Sequence, residues 1–394
     1  MVLRPSPRPL AASPTLPDQR AWVEINLAAL RQNVVQLKGW LAPKTQLMAV
    51  VKADAYGHGV AAIAPAALAA GADRLAVATT QEGIELRHLG ITAPILVLGA
   101  VNQLEEINQL AALDLQPTLC TAQQALIFSE TLSQRQQLSH QPQSLAVQLN
   151  IDTGMSRLGT DWRSALEFVQ FVAQLPHLQI TGVYSHFATA DEVDPSFMQV
   201  QHERFCQVIA QLRAANLCPP LLHIANSAAT LSDRALHYDQ VRVGLALYGL
   251  SPAPHLRDRL PLEPILQVRA RITQVKQIAS GTGVSYGHKF VSDRPVTVAV
   301  VGIGYADGVP RLLTHKLKVL LRSQPVAQIG AITMDQLMID VSHLDNVQPG
   351  EVVTLLGRDG NHTIGADDWA AAIGSISWEI LCGFKRRLPR VYRE

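Results

Sequence analysis

The chain has 394 residues, enough for two domains and a large core. Hydrophobic residues make up 48% and charged residues 16%, an ordinary globular composition, and the net charge of +1 argues against a broad nucleic-acid or membrane-surface footprint. Cys120, Cys206, Cys218 and Cys382 are scattered without a CxxC pair, which fits a reducing, cytoplasmic compartment and offers no zinc pattern; His223 and His237 are too isolated to suggest a metal, and no apolar run approaches the ~20 residues needed to span a bilayer.

Residues 1–19 hold five prolines, two arginines and no acidic residue before Asp18, and they lack the apolar core of a secretory signal. They read as a disordered tail. From residue 47 to 249 the pattern alternates. Short apolar runs fall at 47–53, 74–78, 94–99, 115–120, 145–152, 179–186, 221–226 and 240–247. Between them lie helical stretches such as Gln81–Leu89, Gln103–Leu113, Ser164–Leu175 and Met198–Ala215, whose apolar residues recur every three or four positions. Eight strands alternating with helices predict an N-terminal (β/α)8 TIM-type barrel over residues 20–255, with an open doubly wound sheet as the runner-up. No GxGxxG follows the first strand, which weakens a dinucleotide-binding reading.

Prolines 252, 254 and 261 mark residues 250–262 as a linker, and from about 256 to 394 the texture becomes mostly β. Val268–Val275, Val296–Ile303, Leu317–Leu321, Ala327–Gly330, Leu337–Val341 and Glu351–Leu355 read as strands, with one helical pattern near 367–374. The fold class is therefore α/β, a barrel followed by a β-rich C-terminal domain.

Polar residues cluster just after the barrel strands, where such folds place their chemistry. Lys52 closes the first strand, and Gly57 and Gly59 shape the turn after it, with Asp54, Tyr56 and His58 between. The fifth strand ends at Asn150 and runs into Asp152-Thr-Gly-Met-Ser-Arg157. The sixth ends at Ser185-His186, the seventh at Asn226-Ser227, and the eighth carries Arg242-Val-Gly244-Leu245. Singly these have ordinary alternatives: a core histidine, a loop ion pair, a helix N-cap at Asn226 or Ser227. Together they supply one amine nucleophile, two arginines and turns suited to phosphate. This barrel-mouth set has no GxSxG elbow and no carboxylate pair for glycoside hydrolysis. A lysine and a phosphate cradle on a barrel suggest pyridoxal 5'-phosphate held as a Schiff base.

From about residue 20 onward the chain closely resembles the alanine racemases, pyridoxal-phosphate enzymes of fold type III. The resemblance rests on Val-Val-Lys52-Ala-Asp-Ala-Tyr56-Gly-His-Gly, Asp152-Thr-Gly-Met-Ser-Arg157-Leu-Gly, Ser185-His186-Phe-Ala-Thr-Ala-Asp, Asn226-Ser227-Ala, Arg242-Val-Gly244-Leu-Ala-Leu-Tyr-Gly, Val284-Ser-Tyr286-Gly, Ile303-Gly-Tyr305-Ala-Asp-Gly, Met334-Asp335-Gln and Arg386-Arg-Leu-Pro-Arg. It implies interconversion of L- and D-alanine, supplying D-alanine for peptidoglycan. It implies that Lys52 holds the cofactor and serves as one base, and that Tyr286 of a partner subunit serves as the other, so that a homodimer is required. Arg242 would face the ring nitrogen, oriented by His186. Arg157 would contact cofactor and substrate carboxylate. Tyr56, Asn226, Ser227, Gly244 and Leu245 would bind the cofactor, and Met334, Asp335 and Tyr305 would line the substrate entrance.

Two positions depart from the family pattern. Many members carry a carbamylated lysine where this chain has Asn150, so a chloride ion near Asn150 and Arg157 is the expected substitute. Many have a phosphate-binding tyrosine where this chain has Trp378, which is read as packing against Tyr286 and as a candidate for cofactor contact. The alternatives are a racemase of broader specificity and a non-catalytic cofactor-binding protein. The second is disfavoured by the presence of both a β domain and Tyr286.

Overall fold

A computed structural model describes residues 19–139 and 144–394, so the expected tail lies outside the described residues except for Gln19. The chain divides into two compact units, one of residues 29–55 and 60–263, the other of residues up to 28, 56–59 and 264–394.

The first unit is the expected barrel. Its strands are Gln46–Val50, Arg74–Val77, Ile95–Ala100, Gln116–Leu119, Leu145–Asp152, Leu178–Tyr184, Leu221–His223 and Gln240–Val243. The first seven pair in parallel, each with its sequence neighbour. The eighth returns to the first, with Gln240 opposite Gln46 and Val243 opposite Ala49, which excludes an open doubly wound sheet. Between the seventh and eighth strands the ring is bridged by two backbone bonds, Asp239 N–H to Leu222 O at 3.1 Å and Arg242 N–H to Ala225 O at 3.0 Å.

Several strands end earlier than their apolar runs. The 47–53 run stops at Val50 because Ala53–Tyr56 adopt positive φ, and the 240–247 run stops at Val243 because Leu245–Tyr248 form a 3-10 turn. The crossover helices include Thr80–His88, Leu104–Ala112, Ala165–Gln174 and Ser196–Ala214, each within two residues of its expected bounds. Thr80–His88 starts where it does because Thr79 Oγ1 accepts from Glu82 N–H while the Glu82 carboxylate accepts from Thr79 N–H.

The second unit is built on the expected strands and on five that the sequence did not signal. Leu266–Ile278 bends so that its first half pairs with Val352–Asp359 and its second half with Val296–Val301. With Lys318–Leu321, Gln324–Ile329 and Leu337–Asp340 these strands close a ring. Ala21–Asn26, expected in the barrel domain opening at residue 20, belongs here instead: it runs antiparallel to Leu266–Ala270 and parallel to Arg390–Arg393. Its side chains are buried on both faces, as a central strand requires. His362–Ile364 edges the sheet, and helices Ala366–Ile373 and Ser377–Gly383 follow. No helix among the described residues is long and apolar enough to cross a membrane.

Candidate active site

Lys52 follows the first barrel strand and opens a backbone of unusual shape. Ala53, Asp54 and Ala55 lie near φ 54°, ψ 49°, and Tyr56 continues at φ 53°: one turn of left-handed helix built from non-glycine residues. Such a turn costs about 1–2 kcal/mol per residue, and it persists only where neighbours hold it. Glu82 Oε1 accepts from Ala53 N–H at 2.6 Å, Val51 O accepts from Ala55 N–H at 2.9 Å, and Asp54 Oδ1 accepts from Val60 N–H at 2.8 Å. Asp54 is thus a backbone clamp. In the second unit, Gly57 at φ +80° packs so tightly that a Cβ would lie 2.5 Å from Leu381 O, and its own carbonyl accepts from Arg390. Tyr56 is buried there, which pushes its hydroxyl up.

Around His186 the barrel mouth gathers three cations. Burial is the largest influence on its ring, followed by the charges of Arg242, Arg157 and Lys52, and together they push it down to about 3. His186 is therefore a neutral imidazole at any physiological pH, and its Nδ1 accepts from Arg242 Nη2 at 3.2 Å. Arg242 is 3% exposed. Its Nη2 also donates to Ser185 O (2.9 Å) and Ile224 O (3.1 Å), and its Nη1 to His223 Nδ1 (2.7 Å). Burial lowers Arg242 to about 10, still a full cation at neutral pH.

His223 has both ring nitrogens assigned by its partners. Nδ1 faces the Arg242 donor, so Nε2 carries the proton and donates to Gln148 Oε1 at 2.7 Å. Gln148 Nε2 donates to Gln116 Oε1, and Arg74 reaches Gln116 and Gln46 from the far side. A file of polar side chains thus runs through the barrel interior from Arg242 to Arg74. Tyr184 stacks on His223 at 4.8 Å and donates or accepts at Thr118.

The Asp152–Arg157 turn is held by Asp152 itself, whose carboxylate accepts from Gly154 and Ser156 N–H. Arg157 stands exposed at its end. Asn150, Ile151, Asp152, Met155, Arg157, Leu158 and His186 enclose a cavity of about 10 Å³, room for about one water-sized guest. Asn226 Oδ1 accepts from Ala229 N–H, so its side chain caps helix Ser227–Ser232. Ser227 Oγ accepts from the N–H groups of Gly244 (3.0 Å) and Ala246 (3.4 Å), next to Leu245, leaving the hydroxyl proton to donate elsewhere. A hydroxyl, buried amides, an amine and a guanidinium on one rim form a donor set suited to a phosphorylated aldehyde with a ring nitrogen.

In the second unit Tyr286 tops the hairpin Gly283–Val284/Phe290–Val291 and is 73% exposed. Val284 and Phe290 anchor that hairpin on Val296, Val298 and Ile329. Ser285, at φ +64°, donates to Ala331 O. Trp378 lies in helix Ser377–Gly383 and is half-buried. Tyr305 and Met334 share one loop pair, joined by Tyr305 N–H to Thr333 O and Ala306 N–H to Met334 O, and both are exposed. Asp335 beside them forms an ion pair with Arg387.

Comparison with known proteins decides the family. The model described as the alanine racemase N-terminal domain matches residues 25–252, and that of the C-terminal domain matches residues 265–392. A curated alanine racemase of Nostoc sp. is 61% identical over 95% of this chain and 96% of its own length. The chain belongs to the alanine racemase family. It is an enzyme, an isomerase, and the fold agrees: an alanine racemase structure from Clostridium difficile matches with a TM-score of 0.89 at 34% identity, covering 96% of each chain. One from Bacillus anthracis, solved with bound L-Ala-P, matches at 0.87 and 37% identity, covering 95% of each.

For this racemase, sequence reasoning set His223 aside as a metal ligand and overlooked it as a partner of Arg242. The available signal was polar residues inside short apolar strands: Gln46, Arg74, Gln116, Gln148, His223, Arg242. Burial of these histidines also sets the pH response. His186 and His223 both lie below the ordinary value of 6.5 in the folded chain, so the unfolded chain binds more protons as pH falls below 6.5. Their stabilising effect is fully present above 6.5 and is lost downward toward about 3 for His186, at about 1.4 kcal/mol per pH unit and histidine. The urea midpoint should drop between pH 7 and 5; a midpoint constant over that range would contradict the neutral assignments.

Proposed function

We propose that the chain interconverts L- and D-alanine with pyridoxal 5'-phosphate, Lys52 acting on one face of the substrate and Tyr286 of a second copy on the other. The observation that carries this reading is the gathering of Lys52, Arg157 and Arg242 about a neutral His186 at the barrel mouth of a chain in this family. Bound cofactor supplies an electron-withdrawing ring that spreads the charge left when the Cα proton departs.

The chain's own residues do the rest. Lys52 holds the cofactor, and its freed amine carries a proton to or from Cα. Tyr286 does the same from the opposite side; reference values near 10 for tyrosine and 10.4 for lysine suit a reaction that runs both ways. Arg242, fixed by His186, His223 and two carbonyls, presents a cation that opposes protonation of the ring nitrogen and so discourages transamination. The Ser227 hydroxyl proton and the Leu245 amide receive the phosphate, with Tyr56, on the turn that Gly244 opens, while Asn226 acts through the helix it caps. Arg157 takes the substrate carboxylate. The exposed Tyr286, Tyr305 and Met334 complete the partner's site in a homodimer, and Tyr305 and Met334 restrict it to a small side chain. Asp335 is held by Arg387 at that rim, and Trp378 is left with packing. The product would serve peptidoglycan synthesis in the cytoplasm. Turnover of L-alanine should far exceed that of L-serine and L-lysine; comparable rates would favour a broad-specificity racemase.

Asn150 provides no charge where the resemblance expects a carbamylated lysine, and the Asp152 carboxylate is already engaged by Gly154 and Ser156. A chloride in the small cavity at Asn150 and Arg157 would supply the missing anion. Bromide-soaked crystals should show an anomalous peak there, and exchanging chloride for gluconate should raise KM for alanine severalfold. No peak and no KM change would sink the idea.

A further inference from the structure

On helix Ser196–Ala214, His202 and Cys206 stand one turn apart, and Tyr238 meets them from the loop that enters the eighth strand. This is the end of the barrel opposite Lys52. Tyr238 Oη lies 2.7 Å from His202 Nε2 and 3.4 Å from Cys206 Sγ, and Sγ lies 3.6 Å from Nε2. The phenol ring is fixed edge-on against His202 and Phe205, and its backbone carbonyl accepts from Thr45. Cys206 is the exposed thiol of the four; Cys120 is buried and pushed up to about 11, and Cys218 and Cys382 are half-buried.

We infer that Cys206 is a thiol-modification site, assisted by Tyr238 and His202, that exchanges with low-molecular-weight disulfides of the glutathione class. The phenol donates to Nε2 and so accepts from the thiol. As Sγ attacks one sulfur of the disulfide, its proton passes to Oη and the phenolic proton passes to Nε2. The Sγ–S bond forms and the disulfide S–S bond breaks. The departing thiolate takes the electron pair and then the proton from the imidazolium, so Cys206 thiol plus disulfide gives mixed disulfide plus free thiol. Burial holds His202 below its ordinary value despite the opposing charges of Asp233 and Glu203, which keeps the imidazole free to accept. Arg213, whose charge reaches Tyr238, favours an anionic disulfide.

The test is incubation of the folded full chain with oxidised glutathione, followed by intact mass and peptide mapping. One glutathione should appear per chain, on Cys206, and none there in Cys206→Ser. His202→Gln and Tyr238→Phe should each slow the adduct about tenfold; Tyr238→Phe keeps the ring packing and decides the matter if His202→Gln fails to fold. An adduct that forms first on Cys218 or Cys382, or a Cys206 rate unchanged in Tyr238→Phe, would overturn the proposal.

Discussion

Tyr286→Phe is expected to lower alanine racemisation by about 10²–10⁴-fold with little change in stability. The side chain is 73% exposed, so its hydroxyl contributes nothing to the packing of its own hairpin, which rests on Val284 and Phe290. Racemisation needs a proton donor and acceptor on both faces of Cα, so losing one base blocks both directions of net reaction. Lys52 still serves one face, so one enantiomer should continue to exchange its Cα hydrogen with deuterated water while the other does not. Deuterium incorporation measured by NMR on each enantiomer checks this. Full racemase activity in Tyr286→Phe would refute the two-base reading, and equal loss of exchange for both enantiomers would mean that Tyr286 acts on binding instead.

Lys52→Ala is expected to cost about 10³-fold or more in turnover and to remove the covalent link to the cofactor. Arg242, Ser227 and the Leu245 amide would remain, so non-covalent binding should survive in weakened form. Borohydride reduction should attach a pyridoxyl group to Lys52 in the native enzyme and to no lysine in the variant. Added methylamine should restore part of the activity, because a small free amine can enter the space the side chain left. A pyridoxyl label on another lysine, or activity within about tenfold of native, would remove Lys52 from its assigned role. The backbone argues for the same priority: four consecutive non-glycine residues in a left-handed turn, held by Glu82, Val51 and Val60, are strain kept at the residue that follows the first strand.

That turn marks the boundary of what the sequence made legible. Val50-Val51-Lys52 announced a strand end, and Gly57 and Gly59 announced positive φ; both glycines have it. Ala-Asp-Ala-Tyr carries no such signal, because its conformation is imposed by partners 4 to 29 residues away. The barrel was legible because its first seven strands pair each with its sequence neighbour and the crossover helices repeat their apolar spacing. The strand Ala21–Asn26 was missed because its partners begin at Leu266 and Arg390, far beyond any local window. His223 was missed for a related reason: its partners Gln148 and Arg242 come from other strands, and only the closed ring brings them together. Asn226 reads as a cap in both sequence and structure.

The central claim, that each site joins Lys52 of one chain to Tyr286 of another, is tested most directly by mixing two inactive variants. Lys52→Ala and Tyr286→Phe chains, unfolded together and refolded with pyridoxal phosphate, should form mixed dimers with one doubly altered site and one intact site. If the tyrosine comes from the partner, activity should return to about a quarter of native, since half of random dimers are mixed and each has one working site of two. If both bases come from the same chain, every site in the mixture carries a defect, and activity that stays at the level of the separate variants would contradict the account.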